Sequence, residues 1–207
     1  MKKTIVLFTA LSLFLSCTQT KIKYKYQDKP QNVTCAGADK ALMHEALYSF
    51  QEDIDEFYKY KGTGEKNITR AYTSYIYGGT TGSAQFAMIS SKHSRDILKK
   101  LQESGDLFIK NNNKTTLNFN HPYVNCLVEN IKNKNMKRIL QNLQSVNDMR
   151  VELLVEPYRK NVRDAHTDQN FAMLVALQTY YAHLADADLS KLDQDPKTQT
   201  KTSNKTK

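Results

Sequence analysis

Between residues 39 and 187, apolar positions recur at steps of three and four, the period that turns one face of a helix toward a core. The clearest run holds Met43, Ala46, Leu47, Phe50, Ile54 and Phe57, with Asp39 placed to cap it and Gly62 and Gly64 to end it. Glu45, Glu52, Asp53, Asp55 and Glu56 fall between these positions and are expected on solvated faces. A second element opens at Asn67, spaces Ile68, Tyr72, Tyr75 and Ile76 as a helix would, and stops at Gly78-Gly79. Its β-branched and aromatic content leaves a strand as the alternative.

After the small-residue stretch TTGSAQFAMISS, Ile97, Leu98 and Leu101 predict a short helix closed by Gly105. The period then changes. DLFIK, NNNK and TTLNF alternate around a polar loop, which predicts a small β-hairpin near 107–119 or an extended Ω-like excursion. Pro122 stands one residue inside a helix carrying Val124, Leu127, Val128 and Ile131. Met136, Ile139, Leu140 and Leu143 mark another, and Val151, Leu154 and Val155 a third that Pro157 should kink or end. Thr167 is positioned to cap the last, where Phe171, Leu174, Val175, Tyr181 and Leu184 keep helical steps around one polar interruption, Gln178. The pattern predicts an all-α fold, an irregular bundle of about six or seven helices with room for one hairpin.

The flanks differ from this domain. Lys2 and Lys3 precede an apolar run from Ile5 to Leu15, diluted by Thr9, Ala10 and Ser12, which has the layout of a secretory signal and falls short of the ~20 residues needed to span a bilayer. With Ser16 directly before Cys17, and Phe14 between Leu13 and Leu15, residues 1–17 resemble a bacterial lipoprotein signal. The resemblance implies removal of residues 1–16, acylation of Cys17 with palmitate-type chains, and a place in the cell envelope, on the periplasmic side of the outer membrane. One acyl chain holds a protein marginally and two or more hold it stably, so the expected partner is the lipid bilayer, reached through Cys17. Residues 17–38 show no period and contain Pro30 and Gly37, which suits a flexible tether. Residues 39–187 make a single helical domain, and 188–207, with no apolar residue after Pro196, a disordered basic tail.

Losing Lys2 and Lys3 with the signal takes Lys and Arg from 30 to 28 against 21 acidic residues, which leaves a net charge of +7. A basic exported domain suits anionic headgroups or acidic envelope polymers, and nucleic acid is not expected as a partner. With Cys17 committed to lipid, Cys35 and Cys126 are an even pair in an oxidising compartment; they can bridge, or stay as buried thiols.

No motif points to catalysis. His44, His93, His121, His166 and His183 are scattered, without H-E-x-x-H or C-x-x-C spacing, and no metal or other cofactor is expected. The segment GGTTG at 78–82 lacks the lysine of a phosphate loop and reads as a turn, and G-x-S-x-G is absent. The run EDIDE at 52–56 puts carboxylates three and four apart, which could hold a cation, yet reads as a solvated face. Tyrosine stands out, at 12 residues with no tryptophan. Tyr72 and Tyr75 near Arg70 are the candidate binding surface, since such side chains concentrate contact energy. The leading expectation is a non-enzymatic interaction or structural lipoprotein. The alternative is a small-molecule or glycan-binding lipoprotein with a tyrosine-lined site, and a hydrolase comes third. A pocket with converging polar groups would favour the receptor, a flat exposed patch the partner protein.

Overall fold

The Asp39 side chain accepts from the backbone N–H of Ala41 and Leu42, at 2.9 and 3.1 Å, and so starts α1 (Lys40–Phe57) where the pattern placed it. The structure, a computed structural model, describes residues 22–190 and residue 192. The signal segment 1–16, Cys17 and the tail beyond residue 190, apart from Leu192, lie outside the described residues. Leu42, Ala46, Leu47, Phe50 and Ile54 face the core from α1. Contrary to expectation, Glu45 and Asp53 are buried with them, at 1% and 6% exposure. Glu45, Ser49 and Asp53 repeat every four residues and form a polar stripe along the buried face, against α4 (Lys92–Glu103).

Asn67 caps α2 (Ile68–Thr81), accepting from Arg70 N at 3.0 Å. The helix does not stop at Gly78-Gly79; it ends at Gly82, which is left-handed at φ 77°. The two glycines serve close packing. A Cβ on Gly79 would sit 2.4 Å from Cζ of Tyr75, whose ring lies across it, and one on Gly78 would press on Ala84. The small-residue stretch contains a short helix, α3 (Phe86–Ile89), and Ser91 caps α4.

The hairpin is present: β1 (Phe108–Asn111) pairs antiparallel with β2 (Lys114–Leu117), Phe108 opposite Leu117. Asn112 and Asn113, at φ 49° and 65°, make the two-residue turn that matches strand twist. Then follow α5 (Pro122–Glu129), α6 (Lys134–Ser145) and α7 (Val151–Asn161). Pro157 neither ends α7 nor breaks it; the helix runs on for four residues without the bond proline cannot donate. A 3-10 turn (Val162–His166) leads into a continuous rod made of α8 (Gln169–Val175), a π-helical segment (Ala176–Tyr181) and α9 (Ala182–Leu184). Asp168 caps it, where Thr167 had been expected; the Thr167 hydroxyl donates to Asp164 O instead.

The fold is all-α with one small hairpin, and the rod is its axis. From Phe171 to Leu177 every residue of the rod is buried, with α5 against α8 and with α1 and α2 against the π segment. Residues 22–38 are not a free tether. Their backbone is held by the buried Glu45 carboxylate, which accepts from Lys25 N and Tyr26 N at 2.6 and 3.1 Å. His44 donates to Tyr26 O, Tyr48 to Pro30 O, and a disulfide joins Cys35 to Cys126 with their Cα atoms 5.6 Å apart. A polar, aperiodic segment can thus be ordered by groups that meet its backbone, which periodicity does not register.

Candidate functional site

The tyrosines chosen as a surface are interior. Tyr72 and Tyr75 are 0% exposed and pack edge-on around Phe50, with ring centroids 5.7 and 5.3 Å away. This removes both from any binding surface. Their hydroxyls, the reason to expect them outside, are satisfied internally: Gln51 donates to Tyr72, and Tyr75 donates to Thr179 O at 2.7 Å. Tyr180 donates to Asp53 at 2.6 Å and Tyr181 to Ala46 O at 2.9 Å. Burial pushes the phenols of Tyr75, Tyr180 and Tyr181 well above 10, so they stay protonated donors. Arg70 is half-buried, its guanidinium 3.8 Å from the centre of the Tyr60 ring. The three residues therefore do not share one face.

Asp53, like Glu45, gathers three hydrogen-bond partners. Its Oδ2 accepts from Ser94 Oγ, Ser91 N and Tyr180 OH at 2.5, 3.1 and 2.6 Å, and Ser94 Oγ also meets Ser49 Oγ at 2.5 Å. Burial raises its pKa against the lowering effect of those hydrogen bonds. The network ties α1, α4 and the π segment together, and it is closed to solvent.

The open site lies elsewhere, in a cleft of about 830 Å³ between the hairpin, the end of α2, the loop before α7 and the end of the rod. That volume falls in the range of small-ligand sites. A second hollow, beside Cys35, has about 10 Å³, room for a single water at most. Phe86, Leu117, Phe119, Met149 and Val151 supply apolar surface to the cleft. Amides and a hydroxyl rim it: Asn111, Asn120, Asn147, Gln178 and Thr116. Gln178 comes from the π segment and its Oε1 accepts from Tyr158 OH, which leaves its amide hydrogens free to donate.

The charged groups of the cleft are largely occupied. Asp186 accepts from Thr115 N and Thr115 Oγ1 at 2.6 and 2.7 Å, clamping β2 to the rod, and Arg150 holds Asp148 through two contacts of 2.7 and 2.8 Å. His183 stacks at a tilt on Phe86, ring centroids 5.1 Å apart, beside Gly82, where an added Cβ would come within 3.1 Å of its ring. Burial lowers its pKa below 6.5 and Lys114 adds to that, while Asp186 and the Thr80 backbone oppose it. The imidazole is thus neutral at pH 7, and with its N–H engaged by the Thr80 backbone its other nitrogen is an acceptor. The arrangement suits holding an uncharged, hydrogen-bonding ligand with an apolar side.

Of these residues the sequence had marked Gln178, as a break in an apolar rhythm, His183, as one of five scattered histidines, and Thr80 to Gly82, as part of a turn; the hairpin and Val151 were read as structure, and nothing pointed to these segments meeting in one cleft. Comparison of the chain with protein-family models, curated proteins and solved structures found no match.

Proposed function

We propose that the chain is an acylated envelope lipoprotein whose domain binds a small neutral ligand in the cleft beside the hairpin, with short saccharides as the favoured class. The single observation behind this reading is the cleft itself: an apolar floor ringed by amides and a hydroxyl, with Asp186 engaged by Thr115, Arg150 by Asp148, and Lys114 the one lining cation in no salt bridge among the described residues. Vicinal sugar hydroxyls need donor and acceptor side by side, which an amide provides, and the apolar face of a pyranose covers aromatic or aliphatic surface. The receptor alternative thereby gains on the flat-surface reading, with the cleft in place of the tyrosine-lined site.

The test is thermal unfolding and calorimetry of the full chain with maltotriose, xylotriose and chitotriose. A trisaccharide present at about 100 times its Kd adds about 2.7 kcal/mol, a rise of roughly 5 to 11 °C in Tm. Asn147→Ala and Phe119→Ala should remove that rise, each measured against the variant's own unliganded Tm, which Phe119→Ala also lowers because the ring packs against the core. No rise with any of the three, or one untouched by both substitutions, refutes the reading. For the anchor, Cys17→Ser should move the protein from the membrane to the soluble fraction, and intact mass of the wild type should show acyl chains. A Cys17→Ser protein that stays in the membrane fraction refutes acylation.

A further inference from the structure

One end of the molecule is strongly basic. α6 and α7 are successive helices, and the start of α6 abuts the end of α7: Asn133 Nδ2 donates to Asn161 Oδ1 and to Asp164 Oδ2, both at 2.9 Å. This brings Lys132, Lys134, Lys137 and Arg138 beside Lys160 and Arg163. All six are exposed or half-exposed. Lys132 Nζ donates to Thr167 O and Arg138 to Asn135 Oδ1; among the described residues none of the six is in a salt bridge.

Elsewhere the cations without a salt bridge, such as Lys29, Lys40, Lys61 and Lys110, come from separate segments of the chain, and others are paired. Lys59 and Lys66 meet Glu56, Lys92 and Lys99 meet Asp96, Lys100 meets Glu103, and Arg150 meets Asp148. At the basic end the acids are Glu129, Asp164 and Asp168, and the last is 2% exposed, its oxygens taken by Lys132 N and Phe171 N. Arg159 and Glu156 pair with each other and cancel.

We propose that this end, formed by Lys132, Lys134, Lys137, Arg138, Lys160 and Arg163, seats the domain on a bilayer surface bearing anionic phospholipid headgroups. Charge complementarity is the first argument. Clustered Lys and Arg are drawn to an anionic leaflet within about a Debye length, ~8 Å at physiological salt. The second is reach, and it rests on the lipoprotein reading. Because the chain is already packed from Ile22 onward, only residues 18–21 separate the domain from Cys17. Five steps at ~3.6 Å extend no further than about 18 Å, so an acylated Cys17 holds the domain against the headgroups, not clear of them. A domain that must lie on the surface gains by presenting this cluster of cations to it.

The experiment is co-sedimentation of the full chain carrying Cys17→Ser, so that no acyl group contributes, with two kinds of vesicle. One is pure phosphatidylcholine; the other has about one-third phosphatidylglycerol. The leader, with Lys2 and Lys3, is common to the parent and every variant, so the change in the ratio of the two partition coefficients reads the substituted cations. Lys134→Gln, Lys137→Gln, Lys160→Gln and Arg163→Gln together should cut that ratio roughly a hundredfold or more, at about fivefold per cation. A control with Lys29→Gln, Lys40→Gln, Lys61→Gln and Lys110→Gln removes the same charge from other exposed sites and should cut it less than about tenfold. Both variants should melt within a few degrees of the parent, since none of the eight side chains is buried. Equal losses in the two variants, or no preference for anionic vesicles in the parent, overturn the proposal. So does tight binding to free polyphosphate without binding to vesicles. These results leave the cleft untouched, and failure of saccharide binding leaves the vesicle ratio untouched.

Discussion

Replacing both Cys35 and Cys126 by alanine should cost about 5 kcal/mol, most of it through the unfolded chain. The bond joins residues 91 apart, and closing a loop of that length removes roughly 15 cal/mol/K from the unfolded ensemble, about 4.6 kcal/mol at 25 °C. The buried sulfur of Cys35, 2% exposed, contributes the remainder, on the order of its transfer from water. Against a typical total of about 5 to 15 kcal/mol, that is a third or more of the stability, a fall in Tm of roughly 10 to 20 °C. Urea unfolding should be followed for the oxidised wild type, the reduced wild type and the double variant. The second and third should agree within about 1 kcal/mol, and both should show a steeper dependence on urea, because an uncrosslinked chain exposes more surface. A double variant within 1 kcal/mol of the oxidised wild type would refute the argument. So would alkylation of both cysteines in the unfolded, unreduced protein.

Asp53→Ala leaves Ser94 Oγ, Ser91 N and Tyr180 OH without their acceptor and should cost roughly 3 kcal/mol in urea unfolding; a loss under 1 kcal/mol would show that the network relaxes. The folded-state pKa of Asp53 is raised above 3.8, so this carboxyl favours folding in acid, and that contribution is lost as pH rises through its folded pKa. Asp53→Asn should flatten that part of the stability–pH curve, and an unchanged curve contradicts the assignment. For His183 the sign is opposite: its folded pKa is below 6.5, the unfolded chain takes the proton first, and stability falls as pH drops below 6.5. His183→Gln should remove that fall, and a fall of the same size in the variant argues against it. Gly79→Ala should lower stability by roughly 2 kcal/mol despite alanine's better helix propensity, because the new Cβ would meet the Tyr75 ring at 2.4 Å; a more stable variant would refute this use of the glycine.

Short-range signals were legible and long-range ones were not. Asp39 and Asn67 announce their helices because a cap acts on residues two and three further on, and the asparagine turn of the hairpin is equally local. The tyrosines misled for the converse reason. A phenol suggests a surface until its partner is known, and the partners of Tyr75, Tyr180 and Tyr181 lie 104, 127 and 135 residues away. Glu45 and Asp53 were assigned to water by residue type, although their four-residue step with Ser49 was visible in the sequence. The cleft draws on α2, the hairpin, the loop before α7 and the rod, so no one stretch encodes it.

The π-helical segment makes the rod change phase partway along. Bonding from i to i+5 accommodates an extra residue in the turn, and each residue of an α-helix turns the chain by about 100°. The face that α8 commits to the core is therefore not the face that α9 carries onward. Upstream of the shift the rod serves packing, with Phe171 and Leu174 wholly buried; downstream it delivers His183 and Asp186 to the cleft. A chain shorter by one residue between 176 and 181 could still form a rod of regular pitch, helical by circular dichroism and buried along α8. Its far end would be rotated by more than a quarter turn, Thr115 would lose Asp186, and the cleft would lose one wall: a frame error written in three dimensions.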